Sequence, residues 1–137
     1  MKKIVFAFFI LFSLLRAEDS YKSKLFTTIL SSIFQIQPIN IYVDDDVHEL
    51  LKDNKHFQIL NICDDSITLL IGKKFDNLSE ICKQKPMFST SYRSFKHNQN
   101  SFGAFYWRKG RPQIKFKKSV LEKYNLTLPN GLKRYAQ

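Results

Sequence analysis

Apolar residues recur at helical spacing from Tyr21 to Phe34. Leu25, Ile29 and Ile33 fall on one face, with Phe26, Leu30 and Phe34 beside it, so the segment reads as an amphipathic helix. Pro38, which cannot continue such an element, closes it. The period then changes to two. Ile39, Ile41 and Val43 alternate with Asn40 and Tyr42 and predict a short strand. Asp44, Asp45 and Asp46 follow as a turn that caps a second helix, because carboxylates are favoured at a helix amino end. That helix carries Val47, Leu50 and Leu51 and is spent by Asn54.

Two more strands are expected, Phe57 to Ile62 and Ile67 to Ile71, interrupted by Cys63, Asp64 and Asp65. The unbroken apolar run of the latter fits a strand covered on both faces, and Gly72 ends it. Asp76 is placed to cap a short helix holding Leu78 and Ile81. Met87 to Ser91 reads as extended, and 91–101 as a polar loop with at most a helical turn around Tyr92 to Phe95. Phe102 to Arg108 is an aromatic strand, Lys109 to Pro112 a turn, and Gln113 to Phe116 a returning strand. Lys118 to Tyr124 is a short helix, Asn125 its left-handed terminus, and Leu132 and Tyr135 belong to a last turn. Helix and strand alternate first, and a hairpin plus helix follows. The fold class is therefore α/β: one small domain with a mixed β-sheet, flanking helices and a carboxy-terminal β-hairpin plus short helix.

The amino terminus departs from this pattern. Lys2 and Lys3 precede an apolar run from Ile4 to Leu15, relieved by Ser13, and the chain turns polar after Ala17. The run is too short for about 30 Å of hydrocarbon, which takes roughly 20 helical residues. It fits a secretory signal peptide over 1–17, with Ala17 before the cut and 18–137 as the working domain. An uncleaved anchor and a buried helix are the alternatives. Export implies the periplasm and an oxidising compartment. Two cysteines there, Cys63 and Cys82, suggest one disulfide, against two separate buried thiols.

Charge sharpens the picture. Without the signal, 19 basic residues face 12 acidic ones. Residues 18–82 carry a net −5 and residues 83–137 a net +12, so the carboxy-terminal half presents a basic surface. Nucleic acid would come first for a cytoplasmic protein. Export redirects the expectation to anionic lipid, anionic cell-wall polymer or an acidic protein surface, beside a solvated face with no partner.

No catalytic constellation stands out along the chain. No nucleophile elbow, phosphate-binding glycine loop or paired-histidine motif occurs. Asp64 and Asp65 could act as a carboxylate pair, but neighbours in a strand point to opposite faces, which favours a polar strand junction. The triple aspartate lacks the later Gly and Glu of a calcium loop. His48, His56 and His97 are scattered, so neither metal nor cofactor is expected and the chain does not read as an enzyme. At the hairpin, Arg108, Lys109 and Arg111 present cations outward, and with Tyr106 and Trp107 they form the candidate partner-binding set.

Gly103 to Phe116, the following helix, and Leu126 to Leu132 together resemble the closing segment of YfiR-like periplasmic proteins. Gly110 and Arg111 match that family's charged turn, Ile114 and Phe116 its returning strand, and Leu126, Leu128 and Leu132 its tail. Cys63 to Ile71 looks like its central strand. Lys117 stands where the family has asparagine, and Pro129, Asn130 and Gly131 where small serines are usual. The resemblance implies a non-enzymatic periplasmic protein that binds and tunes an inner-membrane signalling protein, a diguanylate cyclase or sensor kinase. It also implies a disulfide-dependent response to redox state. Two other readings stay open: a periplasmic small-anion binder feeding a transporter or receptor, and a structural envelope protein holding peptidoglycan or anionic lipid.

Overall fold

A computed structural model describes residues 20–137, and the expected signal peptide lies outside the described residues. The first helix, α1, covers 20–33. Next come β1 (Ile39–Val43), α2 (Asp45–Leu51), β2 (Phe57–Ile59), β3 (Leu69–Gly72), α3 (Glu80–Lys83) and β4 (Met87–Ser89). α4 (Tyr92–His97), β5 (Ser101–Arg108), β6 (Arg111–Phe116), α5 (Lys118–Lys123) and a 3-10 turn at Asn130–Tyr135 complete the order. The strands form one sheet in the order β2-β1-β3-β4-β5-β6. The first five strands run parallel and β6 returns antiparallel to β5. This is a single small α/β domain with a mixed sheet, as the alternation of periods predicts.

The sheet is covered on both sides, because right-handed crossovers change face where the direction of travel across the sheet reverses: α2, between β1 and β2, lies on one face, and the connections leading from β2 through to β5 lie on the other. One face holds Ile39, Ile41, Leu69, Ile71, Phe88, Phe102, Phe105 and Phe116 under α1, α2 and α5. Phe26 of α1 meets Phe88 and Phe105 edge-on at 6.0 and 5.2 Å between ring centroids. The other face holds Leu70 and Met87 with Ile67, Phe75 and Leu78 from the connections. Farther along it, Phe95 of α4 covers Ala104 and Tyr106. Beneath α4 the buried hydroxyls of Ser89 and Ser101 bond each other at 2.6 Å, and Ser94 joins Ser89 at 3.1 Å, so no buried hydroxyl there lacks a partner.

Several boundaries differ from those the sequence predicts, each for a local reason. β2 stops at Ile59, because Asp64 folds the chain into a turn by accepting from the backbone N–H and hydroxyl of Ser66. α3 is capped by Ser79, whose Oγ accepts from Cys82 N, and not by Asp76. The polar stretch 91–101 contains a true helix, α4, capped by Ser91 Oγ accepting from Ser94 N. In β5 one residue, Phe102, is inserted opposite the step from Met87 to Phe88. That bulge puts Phe102 and Phe105 on the same face despite their odd spacing.

The hairpin turn is shorter than expected. Lys109 and Gly110 alone form it, with φ of 52° and 75°, the pair of left-handed residues that suits strand twist. Arg111 and Pro112 therefore belong to β6, paired with Arg108 and Trp107. Gly103 faces Phe116 so closely that a Cβ would lie 2.6 Å from its ring. The outer edge of β6 is met at its end by the carboxy terminus: Gln137 N donates to Phe116 O, and Lys118 N donates to Gln137 O. Among the described residues no helix is long and apolar enough to cross a membrane.

Cys63 and Cys82 are paired, with Cα atoms 6.0 Å apart. The bridge ties the β2–β3 connection to α3 on the thinner face of the sheet.

Candidate functional site

Open α/β sheets bind ligands beyond the carboxyl ends of their strands, where the strand order reverses. Here that point lies between β1 and β3. The chain fills it with its own carboxylate. Asp44 Oδ1 accepts from Val47 N at 3.1 Å and caps α2, while Oδ2 accepts from Lys73 N at 2.8 Å. Gly72 leaves room for it, since a Cβ there would sit 2.5 Å from Asp44 Oδ2. Beside it Asp46 meets Lys73 Nζ at 3.5 Å, an exposed and weak pair. The aspartates are thus a cap and a clasp between two strand ends. Asp44→Ala should cost about 1–2 kcal/mol, the usual loss of a cap. Asp44→Asn, which keeps a side-chain acceptor, should cost clearly less. Thermal unfolding of the two variants checks the order.

With the reversal point occupied, open surface shifts to the ends of β4 and β5. A hollow of about 190 Å³ includes Lys22, Phe26, Leu50, Thr90 and Trp107 in its lining. A second, of about 450 Å³, is lined by Thr90, Ser91, Tyr92, Tyr106, Trp107 and Arg108 and contains no carboxylate. Adjacent strand residues point to opposite faces, so Tyr106 and Trp107 straddle the end of β5. Trp107 is 36% exposed, stacks edge-on with Phe105 at 6.1 Å, and has Lys22 Nζ 5.2 Å from its ring. Tyr106 is 9% exposed, because Tyr92 and Phe95 of α4 cover it. Lys115 Nζ lies 4.9 Å from the Tyr92 ring. Arg108, Lys109 and Arg111 are exposed around the turn.

The candidate set from the sequence is therefore brought to one corner, with Tyr106 contributing mainly packing. Sequence reasoning missed Tyr92, Thr90, Lys22 and Lys115 as neighbours of that corner. A signal for Tyr92 exists in hindsight: Ser91 followed by Ser94 and the apolar Phe95 marks a capped helix start, which would have set Tyr92 on α4.

The aspartate pair is not brought together for chemistry. Asp64 is spent on its turn, and the hydrogen bonds from Ser66 hold its carboxyl below the usual range. Lys117 reaches over Phe95 at 4.7 Å to donate to Asn98 O, and burial pulls its ammonium pKa down. Burial likewise pushes the Tyr124 phenol up, with its OH donating to Gln84 O at 2.7 Å. Among the described residues no three His, Cys, Asp or Glu side chains come together as a metal site.

Compared with known proteins, the chain matches no protein-family model and no curated sequence significantly.

Proposed function

We propose that this chain is an exported, non-enzymatic binding module that docks on an acidic surface of a membrane-anchored signalling protein and tunes its activity. The observation that carries the reading is the corner at the end of β5. There a partly exposed Trp107 precedes the exposed Arg108, Lys109 and Arg111 and lines two hollows, one without carboxylates and one whose single carboxylate, Asp46, is paired with Lys73. Trp and Arg are the side chains that most often dominate the energy of protein interfaces. The +12 balance of residues 83–137 steers an acidic partner toward this half of the molecule. The disulfide fits an oxidising compartment. The class of partner, a diguanylate cyclase or sensor kinase of the inner membrane, follows from the resemblance of residues 103–132 to YfiR-like proteins.

The test is capture of the partner from solubilised membranes on immobilised protein. The wild type should retain an inner-membrane signalling protein, and retention should fall as salt rises. Trp107→Ala combined with Arg108→Ala should weaken binding at least tenfold, in line with the roughly 2 kcal/mol or more expected of hot-spot residues. Recovery of no such protein, or equal recovery by the variant, would overturn the reading.

A further inference from the structure

A second basic surface lies on the opposite flank of α4 from the hairpin corner. A groove of about 1080 Å³ runs between the segment after β3 and α4. Its lining includes both Ser91 before α4 and Asn98 after it, so it follows the helix over its whole length, roughly 9 Å for six residues at 1.5 Å each. Lys73, Lys74, Arg93 and Lys123 line it together with the His97 ring, and no Asp or Glu does. The side chains of Lys74 and Arg93 are exposed and have no hydrogen-bond or ion-pair partner among the described residues.

The remaining lining is made of amides and hydroxyls. Gln84, Asn98, Gln99 and Asn100 supply both donors and acceptors. The foot of the groove is fixed in place. Lys123 Nζ donates to Asn100 Oδ1 at 2.6 Å, Asn100 Nδ2 donates to Lys83 O, and Tyr124 OH holds Gln84 O. Walls held this way lose little conformational freedom when a ligand arrives, which favours binding.

The chemistry of the groove separates its possible occupants. Base stacking along a strand needs a series of aromatic platforms, and Phe75 and His97 are the only residues with aromatic rings among those lining the groove. Insertion into a lipid surface needs an apolar face beside the cations, and this lining is amide-rich instead. A groove lined by Lys73, Lys74, Arg93 and Lys123 together with amides and hydroxyls fits a hydrophilic chain bearing several anionic groups and many hydroxyls. We propose that this groove binds an anionic glycan, with Lys74 and Arg93 engaging its acidic groups and the Asn and Gln side chains its hydroxyls.

The groove touches the hairpin corner through Ser91 and Lys73, but Lys74 and Arg93 line neither corner hollow, so the two proposals fail separately. The experiment is affinity electrophoresis and titration of the purified protein with polygalacturonate, dextran sulfate and dextran phosphate, glycans that carry carboxylate, sulfate and phosphate respectively. Dextran serves as a neutral glycan, polyglutamate as an acidic peptide, and phosphatidylglycerol vesicles as an anionic membrane. At least one anionic glycan should bind, with dextran, polyglutamate and vesicles at least tenfold weaker. Lys74→Glu combined with Arg93→Glu should weaken that binding at least tenfold. Reversing Arg108, Lys109 and Arg111 to Glu should change it less than twofold. Should the charge-reversed groove variant unfold, Lys74→Gln with Arg93→Gln decides by the same criterion. Absence of glycan binding, equal binding of polyglutamate or vesicles, or a groove variant that binds like the wild type would each overturn the proposal.

Discussion

Phe88→Ala should lower the stability of the domain by about 3–5 kcal/mol, the loss typical of a buried phenylalanine truncated in a packed core. Phe88 is fully buried, and its ring lies 6.0 Å from Phe26, 5.6 Å from Phe102 and 6.4 Å from Phe116. Those neighbours come from α1, β5 and β6, so the cavity left behind is walled by elements already pinned elsewhere. The sheet cannot move up to fill it, because β4 is hydrogen-bonded to β3 and β5 on both sides. Domains of this size are stable by only about 5–15 kcal/mol, so roughly a fifth or more of the total is at stake. Urea unfolding should show a lower midpoint with an unchanged slope. A loss below about 1 kcal/mol would show that the ring cluster is not the centre of the fold.

The second large effect is expected on the other face. Replacing Cys63 and Cys82 together by Ser should cost about 3 kcal/mol, the chain-entropy value for closing a loop of this length, here a separation of 19 residues. Around the bridge that face has little else to hold it, since the cluster under α4 lies farther along. Its buried apolar cluster is Ile67, Leu70 and Met87, and α3 is one turn long. The melting temperature should fall by roughly 10 °C. Reductant should lower the melting point of the wild type toward that of the double variant and leave the variant unchanged. A wild type insensitive to reductant would show that the bridge carries no stability. Trypsin offers a local readout, since Lys73 and Lys74 lie inside the bridged loop and should be cut faster once it is opened.

Much of the fold is legible along the chain, and its gaps have identifiable causes. α1, β1 and α2 announce themselves by their periods, and the Asp44 cap by its carboxylate. Asn125 adopts a φ of 54°, the left-handed end that its side chain tolerates. What periodicity cannot give is which strands lie side by side. β3 takes its place between β1 and β4 because of long-range burial, which no local pattern encodes. α4 was hidden because one apolar residue, Phe95, is buried on it. The turn at Lys109 and Gly110 was overestimated because a proline two residues on looks like a turn residue, although it is tolerated on an edge strand.

The hairpin corner was legible because its cations are adjacent in sequence. The groove was not, because Lys74 and Arg93 belong to connections on either side of β4, and only the parallel pairing of β3 with β4 sets them facing one another.

The outer edge of β6 has a consequence for self-association. An open strand edge is a template on which other chains can pair and aggregate. Pro112 stands one step from the pair that closes the turn, where an N–H would point away from β5, and it has none to offer. Arg111 and Lys115 add like charges that repel an incoming copy of the same edge. Where those guards end, at Phe116, Gln137 takes the free carbonyl for itself. The β6 edge is thus guarded against pairing with another copy, and loss of residues 136–137 would open the guard at Phe116.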